Sequence, residues 1–135
     1  MKDSKVLKII LFISGLIAIG VGAAILFAPV AFYASSGITL GTDISILNEI
    51  RAGGGGIMVI GILIMSGAFI ADLAFTSAIT SMLMYLSYGA SRIISFIVDG
   101  LPVDALIQVA VLEIIVGLVS FFALLKYKEY GCVKG

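Results

Sequence analysis

Three charged side chains stand inside stretches that are otherwise apolar enough to cross a bilayer: Arg51, Arg92 and Glu113. An ionisable group in hydrocarbon must find a counter-charge, water or the interface, so such residues mark either packing ties or functional sites. At about 1.5 Å per residue from the outer ends of their spans, the three sit roughly 6, 9 and 15 Å deep. Arginine side chains reach several ångströms, which lets both guanidiniums approach Glu113 from above.

The helical period assigns each charge a face. Ser81, Tyr85, Tyr88, Ser95 and Asp99 share a side with Arg92, a continuous polar stripe; Ala110, Gly117 and Ser120 go with Glu113; Asn48, Gly54, Gly55 and Met58 go with Arg51. These faces are expected to converge on one intramembrane cluster, open to the outer side, in which Arg51, Arg92, Glu113, Tyr85, Tyr88, Asp99 and Asn48 bind a ligand. Two arginines against one glutamate leave a positive charge over. Either Asp99 neutralises it, or it attracts an anionic or carbonyl-bearing head group from the outer leaflet, with Tyr85 and Tyr88 as hydrogen-bonding walls. Gln108, nearly opposite Glu113, and Glu49, which points away from Arg51 to the water boundary, fall outside the cluster. The competing reading makes the three charges a paired network that only fixes helix packing.

Four spans must position these groups. The 135 residues are 61% hydrophobic and 12% charged, with a mean hydropathy of +1.27, far from soluble usage. Residues 9–28 carry no charge. A cleaved signal peptide is the rival reading there, but Phe32 takes the place of a small residue before a cleavage point after Ala34. The expected fold is an all-α membrane protein, an antiparallel four-helix transmembrane bundle in one domain, with helices near 6–28, 47–71, 73–98 and 103–125. Residues 29–46 form an interfacial outer loop with Phe32 and Tyr33 at headgroup depth and Ser45 or Asp43 as the next helix cap. A short link through Asp72, Thr76 and Ser77 joins the second and third spans as a hairpin. Asp99-Gly100-Leu101-Pro102 is a turn, and Lys126-Tyr127-Lys128-Glu129-Tyr130 ends the last span. Six of the eight basic residues (Lys2, Lys5, Lys8, Lys126, Lys128, Lys134) lie in the tails, so both termini are expected on the cytoplasmic side of a bacterial inner membrane.

The small residues have their own pattern. Ser14, Ala18 and Gly22 recur every four positions, and Gly53, Gly54, Gly55 and Gly56 open the second span; together with Gly117 they suit close helix contact. No strand precedes the glycine run and no Lys-Ser/Thr follows it, which argues against a phosphate loop. Met58, Met65, Met82 and Met84 read as lipid-facing or core filler.

Composition excludes more than it selects. There is no histidine, and Cys132 is the single cysteine. That removes intramolecular disulfides, CxxC exchange, histidine-ligated haem and Cys/His zinc sites, and no metal or cofactor is expected. Cys132 is either inert or reversibly acylated. Equal numbers of basic and acidic residues offer no polybasic face to nucleic acid.

Asn48-Glu49-Ile50-Arg51-Ala52 followed by Gly-Gly, then Arg92-x-x-Ser95 leading to Asp99-Gly100-x-Pro102, then Glu113 with Gly117, resembles a family of small bacterial four-helix membrane proteins classified as a domain of unknown function. The likeness covers nearly the whole chain. More distantly, the chain is similar to DoxX-type four-helix proteins, some linked to quinone-coupled sulfur oxidation. Here four glycines stand where that family has an aromatic-Gly-Gly pattern. The resemblance implies the architecture and a shared cluster, and brings no reaction.

Three functions compete on these residues. The first is a binding or accessory protein that holds a lipid, quinone-like or other amphiphilic molecule, or docks on a larger membrane complex or a second copy. The second is a small proton-coupled transporter using Glu113. The third is an enzyme, and it lacks an activated nucleophile, metal set or redox thiol beside Glu113, Tyr85 and Tyr88.

Overall fold

The computed structural model describes residues 5–134, with side chains through Tyr127; the expectations for Lys2, Lys128, Tyr130, Cys132 and Lys134 side chains lie outside the described residues. The elements are α1 (Lys5–Phe27), α2 (Pro29–Ala34), α3 (Ile44–Phe69), a 3-10 turn at Ala71–Leu73, α4 (Ala74–Asp99) and α5 (Asp104–Lys134). No strand occurs among the described residues. Four segments, α1, α3, α4 with its leading turn, and α5, are long and apolar enough to cross a membrane. The chain is an all-α, multi-pass, four-helix antiparallel bundle.

Local chemistry sets the helix ends, and it moves several of them from their expected places. Asp43 accepts hydrogen bonds from the backbone nitrogens of Ser45 (2.8 Å) and Ile46 (3.3 Å), so α3 starts at Ile44 and not near 47. The interfacial stretch is not all loop. Pro29 has no N–H to give α1 and its fixed φ suits a first turn, so it ends one helix and opens α2. Thr76 and Ser77, expected in a link, lie inside α4, because the turn needs only residues 70–73. Gly100 takes φ +95° at the end of α4, a conformation that side-chain-bearing residues avoid, and Pro102 follows it. α5 runs through the Lys126-to-Tyr130 stretch expected to end it. Tyrosine and lysine mark where hydrocarbon stops, but neither interrupts a helical hydrogen-bond ladder.

Small residues then bring the helices together in two tight pairs. A Cβ on Gly15 of α1 would lie 2.6 Å from the Met65 nitrogen of α3, and one on Gly61 would lie 2.7 Å from the Ile19 nitrogen. In the second pair a Cβ on Gly117 of α5 would lie 2.5 Å from Leu86 of α4, and one on Gly89 would lie 2.6 Å from Ile114. Ser14, Ala18 and Gly22 are all buried, as are Ala110, Gly117 and Ser120, and the Ser81 and Ser120 hydroxyls meet at 2.8 Å between α4 and α5. In a bilayer, where lipid tails are as apolar as leucine, such close van der Waals contact and interhelical hydrogen bonds hold helices together.

One buried cluster joins the pairs to each other. Leu7, Leu11, Ile64, Ala74, Ala78, Tyr85 and Leu124 form one buried cluster in the half of the bundle that carries the termini. There Ser77 Oγ donates across to the Leu63 carbonyl at 2.8 Å. Towards α2 the pairs separate.

Candidate functional site

The separation leaves a cavity of about 310 Å³, at the lower end of the range for small-molecule sites. Its walls come from the loop-side halves of all four long helices: residues 17–25 of α1, 49–57 of α3, 84–92 of α4 and 106–113 of α5. α2 and the turn after it supply Phe32, Tyr33 and Ser36. The walls are mainly aliphatic, and the polar atoms are few.

Its strongest polar feature joins α4 to α5. Arg92 Nε donates to Glu113 Oε1 at 2.5 Å, and the side chains are 28% and 12% exposed. No other hydrogen bond engages the rest of that guanidinium among the described residues, which leaves its terminal NH₂ groups able to donate to a guest. Tyr85 is buried, and its hydroxyl donates to the Ser14 carbonyl at 2.5 Å, tying α4 diagonally to α1. Tyr88, one turn further on, is 38% exposed and makes no hydrogen bond among the described residues.

Of the residues expected to converge, Arg92, Glu113, Tyr85 and Tyr88 share this cavity. Arg51, Asn48 and Asp99 do not line it, and for these the convergence expected above is corrected. Arg51 Nη1 donates to the Leu26 carbonyl at 2.5 Å. The cause is Pro29: in an unbroken helix that carbonyl would accept from residue 30, but the chain turns away into α2 and leaves it unpaired. A cation at the end of α1 both fills the vacancy and suits the negative end of the helix. Asp99 accepts from Ser95 Oγ at 3.5 Å at the exposed end of α4, and Asn48 is exposed. The spare positive charge expected from two arginines is therefore not in the cavity.

The glycine run divides as well. Gly54 packs on α1, where a Cβ would lie 2.7 Å from Ile25 Cγ2; Gly55 has only ordinary contact with Leu26 at 3.9 Å; Gly53 and Gly56 face open space. Gly53 belongs to the cavity wall and not to helix packing. Two acidic or aromatic groups left out of the cluster do line the cavity, Glu49 and Tyr33, together with Ser36. Glu49 shares its face with Ile50, Gly53 and Ile57, all lining residues. The opposition of Glu49 and Arg51 around α3 was legible; which of them faced inward was not. Met84 is also a wall residue. Among the described residues no group of three or more His, Cys, Asp or Glu could hold a metal ion.

Fold and site together define a small multi-pass four-helix membrane protein with a polar-tipped cavity between two helix pairs. The model of the family described as a domain of unknown function (DUF4345) matches residues 6–124, and the chain belongs to that family. No curated protein and no solved structure matches it.

Proposed function

We propose that this protein binds an amphiphilic molecule of the bilayer, lipid or quinone-like, with its tail among the aliphatic walls and its head at the Arg92, Glu113 and Tyr88 end. The observation that carries this reading is the placement of an incompletely used arginine–glutamate pair in a largely apolar cavity of about 310 Å³. A pair serving packing alone needs no cavity beside it. Lining residues Val21, Tyr88 and Leu112 are 36%, 38% and 42% exposed, so the cavity is open to its surroundings, which supports entry of a guest. The lysine-rich tails support an orientation with both termini in the cytoplasm of a bacterium, so that α2 and the cavity face outward. Bilayer lipid surrounds the apolar outer faces. A larger membrane complex or a second copy of this chain fits the accessory form of the same role.

Native mass spectrometry of the full chain released from mild detergent tests the reading. The wild type should retain a small-molecule mass that Gly53→Leu, which fills the cavity from open space, does not. No retained mass in either protein overturns it. A proton-coupled transporter using Glu113 is the second reading, favoured by the depth of that carboxylate and opposed by its pairing, since each proton would have to displace Arg92. Proton-driven flux in vesicles that vanishes with Glu113→Gln would put it first.

A further inference from the structure

We infer that the guest of this cavity carries a cationic nitrogen in its head group, an ammonium on a hydrocarbon chain. The inference rests on the amphiphile reading above and adds the sign of the charge. One arginine and two glutamates line the cavity. Arg92 is matched by Glu113 at 2.5 Å, and Arg51 lies outside the lining, its Nη1 donating to the Leu26 carbonyl. What remains is the carboxylate of Glu49. It makes no hydrogen bond or ion pair among the described residues and sits on the exposed side of α3.

Aromatic groups accompany it. Tyr33 and Tyr88 line the same cavity as Glu49, and the Tyr33 ring is braced edge-on by Phe32, with centroids 5.5 Å apart and planes at 87°. A carboxylate with two tyrosine rings is the combination that holds ammonium groups, by charge and by the negative faces of the rings. An anionic head at the same place would meet Glu49, and the lining holds no unpaired cation to offset it. The Arg92 NH₂ groups still take a carbonyl or hydroxyl further in.

Three probes of equal chain length separate the terms: decyltrimethylammonium, decyl phosphate and decanol, each titrated onto the full chain in a neutral maltoside detergent and read by native mass spectrometry. The cation should bind about tenfold tighter than the phosphate, a ratio within reach of one carboxylate and two rings. Glu49→Gln should lower cation affinity and leave decanol unchanged. Decanol binding with no preference between the charged probes, or a preference that Glu49→Gln does not alter, overturns the cationic assignment and leaves the amphiphile reading standing. No binding of any probe, or binding that Gly53→Leu does not reduce, overturns both.

Discussion

Tyr85 reaches from α4 to the Ser14 carbonyl of α1 at 2.5 Å, a diagonal tie at the level where the packed half of the bundle gives way to the cavity. It is the floor of the site. Because Ser14 keeps its place in the α1 ladder whatever Tyr85 does, Tyr85→Phe removes one interhelical hydrogen bond without orphaning a second partner. Thermal or denaturant unfolding in mild detergent should show a loss of about 1 kcal/mol, with cavity binding weakened and not abolished. An unchanged midpoint would mean the tie does not hold the halves together.

Arg92 and Glu113 should behave as a unit. Arg92→Met alone strands a carboxylate in a largely apolar wall, and Glu113→Leu alone strands a guanidinium. Each should cost about 2 kcal/mol, less than for a fully buried pair because both groups keep some exposure. The double variant should recover most of that stability and still bind decanol more weakly than wild type. A double-mutant cycle in unfolding free energy, run alongside probe binding, checks both halves of the statement; additive losses would deny the coupling.

Neighbouring glycines should answer differently to the same substitution. Gly54→Leu forces a side chain into Ile25 and Leu26 and should unfold or severely destabilise the α1–α3 pair, by more than about 3 kcal/mol. Gly53→Leu meets open space and gains helix propensity of roughly 0.5–1 kcal/mol, so it should unfold no lower than wild type while losing cavity binding. Size-exclusion behaviour and melting temperature of the two proteins give the comparison.

Arg51→Ala should lower stability by about 1 kcal/mol, through the bare Leu26 carbonyl and the lost cation at the end of α1. Binding of decanol should stay within about twofold of wild type. A collapse of binding with an intact fold would return Arg51 to the site. Amide exchange at the C-terminal turn of α1 should be faster in the variant.

The contrast between Arg51 and Arg92 shows what the chain discloses by itself. Uncharged runs and the Gly100-Leu101-Pro102 break reveal four crossings, and the period of three to four reveals that Ala110, Gly117 and Ser120 lie on one side of the last. Period gives the angle between residues on one helix. It does not give the rotation of that helix against its neighbours, so Glu49 and Arg51, known to oppose each other, could be exchanged between wall and interface without altering the pattern. The fate of Arg51 depended on a carbonyl that Pro29 unpairs twenty-five positions away, and no local signal records a vacancy of that kind. The four glycines look identical in sequence for the same reason, since what distinguishes Gly53 from Gly54 is the passage of α1 over one of them.

The buried cluster that joins the two pairs lies in the half that bears the termini, and this separates rigidity from accommodation. On the proposed reading, a longer or bulkier tail is met by the two pairs parting at the α2 end, as tongs open about a fixed rivet, while the jammed interior below stays still. Tolerance toward chain length and strictness toward the head group then become independent properties of one molecule, each adjustable by mutation at its own end.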